Sequence, residues 1–221
     1  EPAMRRALEE AAATMARLTQ PNGLPWAKPD HRVAYLMDAV EVSAGWRAWS
    51  QLQRDVYGIP QAAKNSLATA QRTDAAIYKH LWHAPSQTWR VSLDAPRADF
   101  RRWYPDTVAQ AWPLLWMDSH HAADSAALAR AQAVWRQAIA PWQGTVNWSQ
   151  RNVDPEGFWW PAIAVAAQCV GDSAAASTWV ARARSAWMHP DTPFAWPFQV
   201  GDLQWLFWLA DPVAQPAPAA P

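Results

Sequence analysis

A proline and an acidic residue precede a long apolar run at several points in this sequence, and that grouping restricts the possible fold more than any other feature. The clearest copy is residues 102–116, RWYPDTVAQAWPLLW, where Pro105 and Asp106 occupy positions typical of a helix start. Because the following run is apolar on most sides of a helix, it predicts a buried helix with Asp106 at its mouth. Similar groupings occur at Asp154-Pro155-Glu156, His189-Pro190-Asp191 and, more loosely, Lys28-Pro29-Asp30.

Helices that are apolar on one side alternate with these buried ones. Apolar residues three or four apart predict half-exposed helices over 3–18, from Pro60 to about His80, and after Asp124 and Asp172. Buried helices are predicted near residues 33–53, 105–117, 157–170 and 199–209. The alternating residues 87–93 predict a short strand pair. The predicted core residues are Leu114, Leu115, Ile163, Val165, Leu206 and Leu209.

This alternation predicts an all-α protein made of helical hairpins, an α/α toroid whose buried helices line a central cavity. The long loops all lead from an outer helix to a buried one, so we expect them on one face of the ring. We assign residues 1–210 to the toroid domain. Residues 211–221 are rich in Pro and Ala and predict an extended tail.

Three stretches resemble the six-hairpin glycosidase superfamily: DAVEVSAGW, RWYPDTVAQAWPLLW and PFQVGDLQWLFWLA. The resemblance extends over residues 1–210. It implies an (α/α)6 toroid and a glycoside hydrolase or polysaccharide lyase acting on a polysaccharide or oligosaccharide. The chain has room for about four such hairpins. We therefore expect an incomplete toroid or part of a larger protein, completed by other chains or by a missing N-terminal part.

The composition excludes several classes of function. Lys and Arg together number 19, as do Asp and Glu, so no net charge draws the chain to nucleic acid or to an anionic membrane. No apolar run is long enough to span a membrane. The sequence has no glycine-rich phosphate loop, and its histidines lack a third metal ligand, so we expect no cofactor and no metal. The single cysteine, Cys169, lies in an apolar run and is predicted to be a buried, inert thiol.

The first ten residues, EPAMRRALEE, lack the apolar segment of a signal peptide. An exported or periplasmic protein whose leader has been removed is favoured over a cytoplasmic one.

Four carboxylates are the candidate catalytic residues. Glycoside hydrolysis generally needs one carboxylic acid to protonate the leaving oxygen and one carboxylate to act as base or nucleophile. An acid among tryptophans loses hydration, and its pKa should rise. The alternative is structural, because acids in the first turn of a helix complement its dipole. The candidates, which we expect to converge on one cleft, are Asp38, Glu41, Asp106 and Glu156.

Aromatic residues in or beside the loops are the candidate ligand-binding residues. The chain has 18 Trp, more than a core of this size needs. Sugar rings stack on indoles through their C–H faces, while the indole N–H reaches a hydroxyl. Alternatively, these rings fill the top of the toroid. The candidates are Trp26, Trp103, Tyr104, Trp148, Trp159, Trp160 and Trp196.

Several functions are therefore compared. A glycosidase is the first interpretation; in a lyase, Tyr104 or His189 would abstract a proton. The alternative is a non-catalytic module that binds a polysaccharide or a partner protein through the aromatic face. A cyclase of isoprenoid substrates ranks last, since no clustered aspartate motif is present. In the first two cases we expect Asp106 to line an open groove, flanked by Trp103 and Tyr104.

Overall fold

The computed structural model describes residues 2–117, 125–143, 153–154, 157–187, 191 and 198–210. Within these ranges the chain is mostly helical, with little strand, which confirms the predicted all-α class. The chain divides into two compact units, residues 1–98 and 99–221. No helix in the described ranges combines the length and the apolar character that a membrane span requires.

The first unit contains three helices and one small hairpin. The helices are α1 (Pro2–Leu18), α2 (Leu36–Asp55) and α3 (Pro60–Leu81). The strands β1 (Trp82–His83) and β2 (Thr88–Trp89) pair antiparallel, with Trp82 opposite Trp89. The predicted helices over 3–18 and from Pro60 are therefore confirmed. Of the predicted strand residues 87–93, Thr88 and Trp89 form a strand. Their partners, Trp82 and His83, are the two residues that directly follow α3.

Helices α2 and α3 form an antiparallel hairpin fixed by buried polar groups. The Ser50 hydroxyl donates to the Ala63 carbonyl at 2.7 Å. Nearer the start of α2, Arg47 and Asp74 form an ion pair across the two helices. Ser43 lies between them and accepts a hydrogen bond from Arg47. Since each group has a partner, the hairpin contains these polar residues without leaving a buried charge unpaired.

Helix α2 begins at Leu36, three residues after the predicted start at 33. Residues 33–35 are extended and pair with the segment after β2. The Leu36 N–H donates to the Val91 carbonyl, and the Leu93 N–H donates to the Ala34 carbonyl, both at 2.9 Å. These long-range hydrogen bonds hold the backbone out of the helix, which an apolar pattern alone does not indicate.

The second unit contains five α-helices in its described residues. They are α4 (Ala111–Trp116), α5 (Ser125–Val134), α6 (Pro161–Cys169), α7 (Ser173–Trp187) and α8 (Leu203–Ala210). A π-helical turn, Trp103–Thr107, and a 3-10 turn, Val108–Gln110, precede α4. Helix α5 continues into a π-helical turn, Trp135–Ile139, and a 3-10 turn, Ala140–Trp142. A further 3-10 turn, Val200–Asp202, leads into α8.

The core of this second unit is largely as predicted. Leu114, Leu115, Ile163 and Val165 are buried. Leu206 and Leu209 are only half-buried, so the prediction for these two residues is wrong. The reason is the orientation of α8: its buried residue is Trp205, and Phe207 is 71% exposed.

Candidate functional site

The candidate site in the second unit is built on a tightly bonded turn of residues 99–107. One carboxylate oxygen of Asp106, Oδ1, accepts the Asp99 N–H at 2.7 Å. The Arg102 carbonyl accepts both the N–H and the hydroxyl of Thr107, at 3.3 and 2.9 Å. Tyr104, between these bonds, has extended backbone angles (φ −107°, ψ 138°) and is followed by a cis peptide bond to Pro105. The turn therefore directs Tyr104 outward while Asp106 points inward.

Asp106 does not line an open groove, and that prediction is wrong. Its side chain has no exposed surface. The second carboxylate oxygen, Oδ2, lies 2.8 Å from a guanidinium nitrogen of Arg102, whose side chain is 61% exposed. Asp106 does lie in the first turn of a helix, the π-helical turn Trp103–Thr107, but Arg102 and the Asp99 N–H surround its carboxylate. This environment suits a structural carboxylate better than one that exchanges protons with a substrate.

Tyr104 and Trp160 form the exposed part of the site. Their rings are stacked, with centroids 5.2 Å apart and planes inclined by 14°. Tyr104 is 51% exposed and Trp160 is half-buried. The indole N–H of Trp160 donates to Asp154 Oδ2 at 2.8 Å. Asp154 is itself buried, with 5% of its surface exposed. A buried acceptor thus fixes the plane of the inner ring, and the stacking fixes the outer ring.

Behind this pair, further aromatic side chains continue toward α8. Trp112 contacts Trp160 at 6.1 Å between centroids and Trp205 at 6.4 Å. Trp205 and Trp208 are stacked 5.8 Å apart, with planes inclined by 10°. We call the set joined by these contacts the aromatic row; it consists of Tyr104, Trp112, Trp116, Phe158, Trp160, Trp205 and Trp208. The row connects an exposed tyrosine to the core, which makes the exposed ring part of a rigid structure.

Two other predicted ligand-binding tryptophans are core residues. Trp103 is 4% exposed and contacts Trp142 at 5.3 Å between ring centroids. Trp159 is 8% exposed and contacts Trp179 at 6.0 Å. Both rings match the alternative interpretation, in which loop aromatics fill the interior, and both leave little surface for a ligand.

The remaining described candidates lie in the first unit. Asp38 is half-buried in the first turn of α2, and Glu41 is exposed one turn further on. Burial raises the pKa of the Asp38 carboxyl above its ordinary value, and the nearby charge of His31 partly opposes this rise. The indole of Trp26 is covered on one face by the guanidinium of Arg32, whose central carbon lies 4.7 Å from the ring centroid.

Five predictions fall on residues outside the described ranges. Glu156, Trp148, Trp196 and His189 belong to this group, as does the predicted tail, 211–221. Among the residues that are described, no three His, Cys, Asp or Glu side chains are grouped so that they could hold a metal ion. Burial raises the pKa of the Cys169 thiol to about 12, and this side chain is half-buried where full burial was expected.

The chain matches no family model, no curated protein and no solved structure.

Two residues of the site were missed from the sequence. The sequence patterns include Asp154 only as the start of a proline–acid grouping, and Arg102 only as the first residue of the stretch 102–116. A signal for Asp154 exists: an aspartate followed by glycine three residues later, Gly157, is a turn pattern, and the Gly157 N–H does donate to the Asp154 carbonyl at 2.9 Å. For Arg102, the spacing of four residues to Asp106 was the available signal.

Proposed function

We propose that this chain is a carbohydrate-active protein that binds a polysaccharide or oligosaccharide through the face made by Tyr104 and Trp160. The observation that supports this proposal is the exposed tyrosine stacked on a tryptophan that a buried aspartate holds in place. A sugar ring placed on the outer face of Tyr104 would meet a flat aromatic surface whose position is fixed before binding. Such a surface loses little side-chain freedom when a ligand arrives, and this favours affinity.

Binding without catalysis is the better supported of the two main interpretations. Hydrolysis at this face would need a carboxyl group that reaches the ligand. Asp106 is fully buried and paired with Arg102, and Asp154 is engaged by Trp160. Neither carboxylate is therefore placed to protonate a glycosidic oxygen at the Tyr104 surface.

The fold that we propose for this function is an α/α toroid, complete only with additional hairpins. The support for it is the repeated pairing of consecutive helices. Helix α2 packs on α3, and α6 packs on α7, with short connections in both cases. In repeat proteins, hairpins of this kind stack on their neighbours and so bury a continuous core.

The test is binding to a broad panel of oligosaccharides, measured by isothermal titration calorimetry. We expect Tyr104→Ala to weaken binding roughly tenfold or more, as loss of a central aromatic contact does. Tyr104→Phe should retain most of the affinity, since the ring remains. The control is Phe207→Ala, which removes another exposed aromatic ring from the same unit.

Two results would contradict the proposal. If the wild-type protein binds no member of the panel, the proposal of carbohydrate binding fails. An equal loss in Phe207→Ala and Tyr104→Ala would show that general apolar surface, and not the stacked pair, holds the sugar.

Hydrolysis by Asp38 and Glu41 is the second candidate. The raised pKa of the Asp38 carboxyl favours it, because a general acid must keep its proton near the working pH. If this function is present, the wild type should release reducing ends from a member of the same panel, and Asp38→Asn should abolish that release. An unchanged rate in Asp38→Asn would exclude Asp38 as the acid.

A further inference from the structure

All members of the aromatic row except Phe158 carry an indole or a phenol, groups that give up one electron readily. The ring centroids are 5.2 Å apart from Tyr104 to Trp160, 6.1 Å from Trp160 to Trp112 and 6.4 Å from Trp112 to Trp205. Separations of this size are those of rings in contact. An electron can therefore move along the row through aromatic rings alone. Trp205 in turn contacts Trp116 and Trp208.

The two ends of the row differ in how well they accommodate the positive charge that a ring carries after losing an electron. The Trp160 N–H donates to the buried carboxylate of Asp154 at 2.8 Å. A negative charge shielded from water stabilises a neighbouring positive charge more than it would in solution. At the other end, the indole N–H of Trp208 is buried and has no hydrogen-bond partner among the described residues. A positive charge in the row is therefore most stable on Trp160.

The other charges of this end are balanced. Arg102 is two residues from Tyr104 in the sequence, and its guanidinium lies 2.8 Å from the Asp106 carboxylate. The two charges offset each other. The carboxylate of Asp154 is thus the group that sets the preference for Trp160.

The exposed end is also the end at which a proton can leave. Tyr104 is 51% exposed, whereas Trp112 and Trp205 are buried. A phenol that loses an electron becomes strongly acidic and releases its hydroxyl proton, here to water. The product is an uncharged tyrosyl radical, so the oxidised state is trapped at the surface. The second unit contains no other tyrosine, since the remaining three are Tyr35, Tyr57 and Tyr78.

We propose that the aromatic row conducts one-electron oxidation from the core of the second unit to Tyr104, which is the site where this oxidation ends. A radical oxidant takes one electron from an indole of the row and is itself reduced to its anion. Each neighbouring ring then passes an electron to the oxidised one. In the last step Tyr104 gives an electron to oxidised Trp160 and its hydroxyl proton to water, which leaves Trp160 neutral and Tyr104 a tyrosyl radical.

The reaction partner at Tyr104 is a small hydrogen-atom donor such as ascorbate or a thiol. It supplies one electron and one proton, which restore the tyrosine, and becomes a radical itself. This role uses the same exposed ring as the proposed sugar-binding face but does not depend on sugar binding.

The experiment uses the full chain and azide radicals, which a brief radiation pulse generates and which oxidise indoles in preference to phenols. Samples are frozen after the pulse, and electron paramagnetic resonance separates tyrosyl from tryptophan radicals. We expect a tyrosyl signal in the wild type and its loss in Tyr104→Phe, with tryptophan radicals in its place. The control is Tyr35→Phe, which removes an exposed tyrosine of the first unit and should leave the signal unchanged.

Three further variants separate conduction along the row from direct attack on Tyr104. Trp160→Phe keeps a ring beside Tyr104 but removes the indole, so the tyrosyl signal should fall. Asp154→Asn keeps an acceptor oxygen for the Trp160 N–H but removes the charge, and the signal should fall in the same direction. Trp135→Phe is the matched control, because this indole also donates to a carboxylate, that of Asp172, and is not a member of the row. Urea unfolding checks that each variant is folded.

Three results would overturn the proposal. A tyrosyl signal that persists in Tyr104→Phe places the end of the oxidation elsewhere. Full signals in Trp160→Phe or in Asp154→Asn show that the azide radical attacks Tyr104 directly or that the carboxylate does not direct the charge. Equal losses in Trp135→Phe and Trp160→Phe show that the contacts of the row have no special part.

Discussion

At the scale of single residues, Gly23 determines the path of the chain between α1 and α2. Its φ of +91° lies in a region that residues with side chains rarely adopt. A Cβ at this position would stand 2.9 Å from the Cβ of Ala76 on α3, closer than carbon atoms approach without displacement. The turn therefore needs glycine for its backbone angle and also for its contact with α3.

Gly23→Ala and Gly58→Ala separate these two requirements. Gly58 also has positive φ, +63°, but a Cβ there would meet no atom within 4 Å. We expect Gly58→Ala to lower the free energy of unfolding by about 1–2 kcal/mol, the cost of the left-handed conformation. Gly23→Ala should cost roughly 1–3 kcal/mol more, because the added methyl overfills the contact with Ala76.

Urea denaturation of both variants measures this difference. Equal losses in the two variants would mean that the loop moves away from α3 at no cost, contrary to the packing described.

Asp38 gives a prediction about pH. Burial raises the pKa of its carboxyl in the folded chain above the ordinary value of 3.8, so the folded state holds the proton more tightly than the unfolded state does. The contribution of Asp38 to stability is therefore fully present below pH 3.8 and is lost as the pH rises through its folded pKa. The stability of the wild type relative to Asp38→Asn should therefore fall as the pH rises above the ordinary value of 3.8 and through the folded pKa.

Denaturant unfolding of both proteins across this range provides the measurement. A wild type that gains stability over Asp38→Asn as the pH rises would show that the pKa of this carboxyl is lowered, not raised.

Asp172 gives the opposite case within the second unit. Burial acts to raise the pKa of this carboxyl, but hydrogen bonds from Gln143, the Ala175 N–H and Trp135 outweigh burial and lower it.

At the scale of elements, the turn of residues 99–107 depends on Asp106. We expect Asp106→Asn to lower the free energy of unfolding by about 1–3 kcal/mol, since it removes a charge-assisted hydrogen bond and the ion pair with Arg102. Asp99→Asn is the control in the same turn. Its side chain pairs with Arg101, which is 89% exposed, so its loss should cost much less stability than the loss of Asp106.

Thermal or urea unfolding of the two variants decides between the roles of Asp106. If Asp106→Asn is as stable as the wild type yet loses an activity on oligosaccharides, Asp106 is catalytic and our structural interpretation fails.

The elements show which features a sequence pattern can predict. The helices over 3–18 and from Pro60 followed from apolar spacing and from proline at a helix start, and both are confirmed. The start of α2 and the burial of Asp106 did not follow, because hydrogen bonds between residues distant in sequence or hidden in a turn decide them. In α8, which is apolar on nearly every side, the pattern could not indicate whether Trp205 or the leucines would be buried.

At the scale of the whole molecule, the all-α class could be predicted because periodicity identifies helices without any knowledge of their partners. Periodicity does not indicate how the hairpins are arranged, and the toroid stays a prediction. The candidate site was predicted in part. Tyr104 and Trp160 are named as ligand-binding residues, but their stacking joins residues more than fifty positions apart, and the role of Asp154 depends on a side-chain hydrogen bond that no pattern indicates. Composition indicated many aromatic rings and could not indicate which of them remain exposed.

The stacked rings of the aromatic row also have an optical consequence. In the Trp205–Trp208 pair, 5.8 Å apart, and in the Tyr104–Trp160 pair, 5.2 Å apart, the electronic transitions of neighbouring rings couple. Coupled transitions split an absorption band and give circular-dichroism bands of opposite sign beside the helical signal. At these separations we expect light absorbed by one indole to pass to its neighbours before emission. A change at Tyr104 would therefore be recorded in the emission of tryptophans as far along the row as Trp208.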